Sequence, residues 1–181
     1  NGVNSYINLP LSLANLTNPT VNNVSIAVGF IPLEIHPNFW DYALISGYMY
    51  NWFVSIPGNV PTAYIYNSAG TLYSVSSGVT VSVGSYAEVV AMYNTAYNIY
   101  IYVNGRFSGN GMWSGNYVEA TQYMRIGMRG SSYVYAYISY ALITQKLFSA
   151  SNISNLYSNK IVSGPGLVMF LDATFYNGQQ Y

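Results

Sequence analysis

Charge and cysteine are both scarce in this chain, and each shortage excludes a class of function. Of the 181 residues only 6% are charged, with five acidic and five basic side chains. Typical soluble domains have about a quarter of their residues charged. No basic patch exists that could neutralise phosphates, so the sequence predicts no nucleic-acid partner. The absence of cysteine excludes disulfides, thiolate metal sites and cysteine catalysis.

The few acidic residues are also scattered, which argues against catalysis and metal binding. A retaining glycoside hydrolase needs two carboxyl groups about 5–5.5 Å apart, and the acids nearest in sequence are Glu34 and Asp41. Calcium takes about six to eight oxygen ligands, so Asp41 with backbone carbonyls would hold at most a weak ion. We therefore predict no enzyme activity, no catalytic residue, no metal and no cofactor.

The single histidine, His36, lacks the surroundings of a hydrolytic triad. It stands in "EIHPNFWDY", and no nucleophile-elbow sequence is present. We predict a packed or surface residue.

Long apolar runs are missing as well. No run approaches the ~18–20 residues of a membrane span, and the N-terminus has no signal-peptide pattern, so we expect a cytosolic or already processed chain. Half of the residues are nevertheless apolar, enough for one globular domain with a sizeable core.

Alternation of apolar and polar residues with period two is the dominant pattern. It predicts half-buried antiparallel strands over 24–30, 79–83 and 97–103. In the second of these, Val79, Val81 and Val83 are expected to share one face. Further strands are expected over 5–9, 43–55, 62–67, 71–76, 86–93, 123–129 and 133–144.

Two local signals complete the assignment of elements. Asn104-Gly105 predicts a two-residue type I′ hairpin turn, in which both positions need positive φ. The segment 149–159 predicts one short helix, capped by serine and with Ile153, Leu156 and Tyr157 on one face. Many short strands and one helix indicate an all-β fold, a two-sheet antiparallel jelly-roll sandwich.

Three stretches resemble laminin G-like domains when taken in order: "NGVNSYINLP" at 1–10, "YNIYIYVNGRFSG" at 97–109, and the block at 123–159 that runs from "YMRIGMRG" to "NLYSN". The resemblance implies a concanavalin A-like jelly roll, of the kind shared by lectins and glucanases, with a body over 1–163. Domains of this type usually open with a strand similar to "GLVMFLDATFYNG", which this chain carries at its end. The strand order is therefore expected to be circularly shifted.

The C-terminal stretch 164–181 is expected to be a hinge followed by a donor-type strand. The hinge is Gly164, Pro165 and Gly166, and the apolar residues of the strand are Leu167, Val168, Met169, Phe170, Leu171, Ala173 and Phe175. Two alternatives are open: the strand closes its own sandwich, or it completes the sandwich of the next copy. Strand donation would be head-to-tail, so it would produce filaments unless a ring closes.

Surface residues suggest two further kinds of site. The loop 108–117 is rich in Gly and Asn, and its Trp113 and Tyr117 are candidates for stacking on sugars, with core packing as the alternative. Three sequons, at Asn15, Asn23 and Asn152, would accept glycans outside the cell.

These observations favour an extracellular, cell-surface structural subunit whose partners are copies of itself, assembled by its C-terminal strand. The surface, rich in Tyr, Asn and Ser, is similar in composition to that of archaeal surface appendage proteins. The alternative is a lectin-like, carbohydrate-binding adhesion module with glycans as partners.

Overall fold

Two antiparallel sheets of six strands pack face to face in the computed structural model, which describes residues 6–9, 17–37, 42–47, 51–117, 123–159 and 167–172. The predicted all-β sandwich with one short helix is confirmed. Among the described residues no helix is both long enough and apolar enough to pass through a lipid bilayer.

The first sheet, sheet I, has the strand order β1-β10-β3-β4-β5-β6. Its strands are β1 (Ile7–Leu9), β3 (Ala43–Ser46), β4 (Trp52–Ser55), β5 (Thr62–Tyr66), β6 (Leu72–Ser76) and β10 (Met124–Ile126).

The second sheet, sheet II, has the order β14-β13-β2-β7-β8-β9. Its strands are β2 (Val24–Pro32), β7 (Ala87–Tyr93), β8 (Asn98–Val103), β9 (Arg106–Met112), β13 (Ala136–Thr144) and β14 (Leu167–Asp172). A small hairpin of β11 (Met128–Arg129) and β12 (Ser132–Tyr133) stands apart from both sheets, and helix α1 covers Ala150–Asn159.

The main core lies between the sheets and follows the predicted alternation. In β2, for example, Val24, Ile26, Val28 and Phe30 are fully buried in this core, and Ala27 faces the other side of sheet II. Burial of such side chains stabilises the fold by about 1.5–3 kcal/mol each.

Helix α1 covers the outer face of sheet II, as its apolar spacing predicts. Ile153 and Leu156 are buried against Val90 and Leu142. The backbone N–H of Asn152 donates to Ser149 Oγ at 3.1 Å, and the N–H of Ser149 donates to Asn152 Oδ1 at 3.1 Å. This reciprocal pair satisfies two donors at the helix N-terminus.

Four strand predictions are wrong: 123–129 is divided between β10 and β11, 133–144 is divided between β12 and β13, and two other segments differ as follows. The segment 79–83 is an irregular loop in which Val81 is buried while Val79 and Val83 are exposed. Only Val81 packs into the main core, and the segment pairs with none of the described strands. The segment 43–55 is two strands, because the chain turns back between β3 and β4, which pair with each other.

Beside β8 and β9, one flank of the sandwich is closed by the close approach of the two sheets. Strand β9 of sheet II lies against β6 of sheet I. A Cβ placed on Gly109 would lie 3.0 Å from the carbonyl oxygen of Ser76, and one on Gly111 would lie 2.7 Å from Val75 Cγ2. Glycine at these two positions is what lets the sheet edges meet.

The C-terminal strand β14 pairs with β13 of the same chain in this structure, and strand donation to another copy remains a prediction. It runs antiparallel to β13, with Leu142 opposite Phe170 and Tyr140 opposite Asp172. Met169 is buried in the main core. The predicted hinge at 164–166, together with Ala173 and Phe175, lies outside the described residues.

Candidate functional site

An open cleft lies where the β8–β9 turn, the loop after β6 and helix α1 meet. Its volume is about 790 Å³. We call it the turn cleft. Its lining residues are Ser77, Val79, Val103, Asn104, Gly105, Arg106, Phe107, Ser108, Ser154 and Tyr157.

The turn that forms one wall has the geometry predicted from its sequence. Asn104 has φ 50° and Gly105 has φ 75°, as a type I′ turn requires. Gly105 also lets the helix approach, since a Cβ there would lie 3.3 Å from Tyr157 Cβ. The turn and α1 thus form a rigid corner.

Phe107 is the most exposed aromatic ring of the cleft. Its side chain is 58% exposed, and its ring makes one edge-to-face contact with Tyr102 at 5.4 Å. A single exposed apolar side chain is common on protein surfaces, so the ring matters here because it lies in a cleft with polar groups around it. The flat ring can therefore stack on a ligand.

Arg106 is the only charged residue among the described residues that line the cleft. It is exposed, and its guanidinium has no ion-pair or hydrogen-bond partner in the described parts of the chain. Five N–H donors in a planar fork are therefore available to an oxygen-rich ligand.

Hydroxyl groups complete the polar lining. Ser154 projects from α1, and its side chain forms no hydrogen bond with any described residue. Ser108 Oγ donates to the carbonyl oxygen of Arg106 at 3.0 Å, which stiffens the start of β9. Together with Phe107 and Arg106, these groups can stack on one face of a polyol and hydrogen-bond its edge.

A buried polar cluster lies beside the cleft, on the outer face of sheet II. Glu88 on β7 is fully buried, and the Tyr140 hydroxyl donates a short hydrogen bond to its Oε2. Burial raises the pKa of the Glu88 carboxyl from 4.5 to about 7, and the Tyr140 hydrogen bond opposes the rise. Burial likewise raises the pKa of the nearby Tyr86 hydroxyl to about 12, with the charge of Glu88 as a second cause.

The loop candidates for sugar stacking are placed elsewhere, and the structure corrects them. Trp113 is 2% exposed and Tyr117 is 9% exposed, both within the main core. Tyr97 covers Trp113 in an edge-to-face contact at 4.8 Å. Neither ring offers a face to a ligand, so core packing, the alternative reading, describes both residues.

His36 is packed, as predicted. It is buried, its Nδ1 lies 3.0 Å from Asn59 Oδ1, and its Nε2 accepts the backbone N–H of Tyr135 at 2.9 Å. The ring is thus a neutral imidazole with its proton on Nδ1. Burial lowers its pKa, and both nitrogens are used in holding loops together.

The remaining predicted site residues are spread over the surface. Asn152 is exposed at the start of α1, and Asn23 is half-buried before β2. Asn15 and Asp41 lie outside the described residues. No group of three or more His, Cys, Asp or Glu side chains that could hold a metal ion occurs within the described ranges.

Sequence reasoning missed Arg106 and Phe107. Their signal was present: a cation and a large aromatic directly follow a tight Asn-Gly turn, where no core can cover them. No sequence pattern indicates that Tyr157 and Ser154 of α1 line the cleft, because this depends on how the helix packs against the turn.

Comparison with solved structures finds the same fold in several toxin binding domains. The binding domain of Paraclostridial Mosquitocidal Protein 1 superposes with a TM-score of 0.63 at 13% identity, over 78% of this chain and 38% of that one. The binding domain of Botulinum Neurotoxin DC in complex with SialylT gives 0.62 at 14%, over 78% and 37%.

A third similar structure is the Botulinum Neurotoxin Type G receptor binding domain, with a TM-score of 0.59 at 15% identity, over 77% of this chain and 38% of that one. The chain thus spans well under half the length of the structures it resembles. At these identities the likeness shows a shared β-sandwich fold. No protein-family model and no curated protein matches the sequence.

Proposed function

We propose that this chain is a carbohydrate-binding module that contacts cell-surface glycans through the turn cleft. One observation carries the proposal: an exposed aromatic ring and a guanidinium without a partner among the described residues follow one another at the start of β9, in a cleft lined with hydroxyls. Aromatic stacking on the apolar face of a sugar ring, with polar groups around it, is the chemistry that such a lining offers.

The likeness of fold also supports glycan binding. The similar structures are named as binding domains, one of them a receptor binding domain and one in complex with SialylT. A glycan-binding role implies a location outside the cell, where the exposed sequon at Asn152 would also be usable.

We propose binding without catalysis. None of the residues that line the turn cleft is a carboxylate, and Glu88 beside it is buried. Glycoside hydrolysis by paired carboxyl groups would need two such groups facing the substrate.

A glycan array tests the proposal with two variants of one strand. Phe107→Ala removes the stacking ring, and we expect the affinity for any captured glycan to fall about tenfold or more, because aromatic anchors dominate such sites. Met112→Ala is the matched control, since Met112 is also on β9 and is 68% exposed, away from the cleft. Arg106→Gln tests the guanidinium in the same way.

Two results would contradict the glycan-binding proposal. One is an array on which the parent protein captures no glycan. The other is equal binding by the parent and Phe107→Ala.

Assembly of copies through the C-terminal strand is the second candidate. It is favoured by the position of β14, which is the outermost strand of sheet II and has β13 as its one partner among the described strands. Exchange of β14 between copies would break and remake a single ladder. The scarcity of charge on the chain would reduce the repulsion between copies.

Deletion of 164–181 tests this second candidate. We expect electron micrographs of the full chain to show filaments or layers, and those of the truncated chain to show none. Phe170→Asp is the finer variant, and it should weaken assembly while leaving the turn cleft intact. Assemblies that persist in the truncated chain, or a full chain that stays monomeric, would exclude strand exchange.

A further inference from the structure

The described surroundings of Glu88 satisfy only one of its two carboxyl oxygens. It points from β7 to the outer face of sheet II and is fully buried. The Tyr140 hydroxyl donates to Oε2, while Oε1 has no hydrogen-bond partner in the described structure. An ionised carboxylate with one oxygen unsatisfied away from water is costly, and a neutral carboxylic acid is much less so.

The groups around Glu88 offer no compensating cation. Tyr140 faces it from β13, and Tyr86 lies immediately before β7. Gly29 of β2 has no side chain, and Tyr157 of α1 stacks on Tyr86 at 6.2 Å. On β14, the backbone of Asp172 pairs with Tyr140 in the register.

Of the two tyrosines on the neighbouring strand β8, Tyr102 is nearer to Glu88 in the register, and burial raises the pKa of its hydroxyl. Arg106 is the nearest cation along the turn. It lies on the exposed side of the turn cleft. The described residues packed on Glu88 therefore supply neutral hydroxyls and amides only.

Glu88 is connected to both walls of the turn cleft. Its backbone N–H donates to Asn104 Oδ1 at 2.8 Å, and its carbonyl oxygen accepts the N–H of Asn104 at 2.9 Å. Asn104 is the first residue of the turn. The Tyr86–Tyr157 stack joins the start of β7 to the helix wall. These contacts are the route by which a change around the Glu88 side chain can reach the turn and α1.

We infer that Glu88 is a pH-sensitive positioning residue of the turn cleft: the neutral acid holds turn and helix together, and the carboxylate loosens them once the group ionises. Ionisation favours entry of water or a move of the carboxylate toward the surface, and either movement displaces Tyr140 and Tyr86. The raised pKa of about 7 agrees with this geometry. The consequence for ligand binding rests on the proposed function, whereas the opening of the cleft does not.

Two measurements on the full chain test the inference without any ligand. The ¹³C resonance of the Glu88 carboxyl is followed from pH 4 to 9, and we expect its midpoint well above the ordinary value of 4.5. Hydrogen exchange of the amides of Glu88, Asn104 and 153–157 is measured at pH 6 and pH 8. After correction for intrinsic exchange, we expect protection to fall about tenfold or more at the higher pH.

Three variants separate positioning from a general effect on folding. Glu88→Gln keeps the shape of the neutral acid, so its protection should not change with pH. Tyr140→Phe removes the hydrogen bond that stabilises the carboxylate, so the Glu88 midpoint should move to a still higher pH. Glu34→Gln, which changes an exposed acid, should behave like the parent. His36 also titrates, but its pKa is lowered, so its transition lies on the acid side.

A Glu88 midpoint near 4.5, or equal protection of the turn and α1 at both pH values, would overturn the inference. If a glycan is captured on the array, its affinity should fall between pH 6 and pH 8 in the parent but not in Glu88→Gln. An array without any captured glycan would remove the proposed function and leave the exchange result to decide the inference alone.

Discussion

Gly29 shows how one absent side chain organises three strands. It lies on β2 between Tyr140 of β13 and Glu88 of β7, with which it is paired in register on either side. The Tyr140 ring crosses this position to reach the Glu88 carboxyl. A side chain on β2 would block that path, so the hydrogen bond across the sheet depends on the glycine.

Gly29→Ala should therefore destabilise the protein by about 1–3 kcal/mol, the usual cost of overpacking. The added Cβ would lie 2.7 Å from Tyr140 Cδ1 and 2.7 Å from the Tyr86 hydroxyl oxygen. Chemical denaturation measures the loss of unfolding free energy. In a Tyr140→Leu background the same change should cost less, because the ring is gone. Equal losses in both backgrounds would show that the ring is not the obstacle.

At the scale of elements, α1 depends on its cap as well as on its apolar face. Ser149 Oγ accepts the N–H of Asn152, and the Asn152 side chain returns the interaction. The helix covers only Ala150–Asn159, a length at which isolated helices are marginal. Packing on sheet II therefore supplies most of its stability, and the cap adds to it.

Ser149→Ala should cost about 1 kcal/mol of unfolding free energy, since it removes the N-cap acceptor. The same denaturation measurement applies, and hydrogen exchange should show the loss concentrated in the first turn of α1. Ser158→Ala is the matched control, because Ser158 is exposed near the other end of the helix. If the two alanine variants were equally stable, the cap would not support the helix.

Local elements with a strong signal were predictable from the sequence, and those that need a tertiary partner were not. The Asn104-Gly105 turn and the face of α1 are set by backbone geometry and apolar spacing. The valines of 79–83 alternate as in a strand, yet the segment belongs to no ladder among the described strands. Trp113 stands in a Gly- and Asn-rich loop that looks exposed in sequence, and Tyr97 covers it in the fold.

The turn cleft was partly predictable for the same reason. The position of Phe107 after a tight turn indicates exposure. The approach of Tyr157 and Ser154 follows from the packing of α1 on sheet II, which brings residues distant in sequence together. The role of Glu88 was not predictable, because an acidic residue in a strand is ordinarily expected at the surface.

At the scale of the whole molecule, two buried titratable groups give the stability a dependence on pH with opposite signs. The pKa of Glu88 is raised from 4.5 to about 7, so the folded state binds a proton that the unfolded chain has lost. Unfolding free energy should be highest below pH 4.5 and fall between pH 4.5 and 7. His36 has a lowered pKa, so its contribution is present above its ordinary 6.5 and is lost as the pH falls.

The difference between the parent and Glu88→Gln isolates the first effect. We expect the stability of the parent relative to the variant to fall by about 3 kcal/mol from pH 4.5 to pH 8, since one unit of pKa shift corresponds to about 1.4 kcal/mol. Urea denaturation across this range measures it. A constant difference at all pH values would mean that Glu88 titrates alike in the folded and unfolded chains.

Strand β9 lies against β6 at two glycines, so the two sheets are in contact along one side of the sandwich. On the opposite side the outermost described strands are β1 and β14. Another copy could add backbone to backbone at β1 or at β14, whereas β6 and β9 lie against each other. A contact that joined β14 of one copy to β14 of the next would close as a two-fold pair, and a longer row of copies would need a second, different contact.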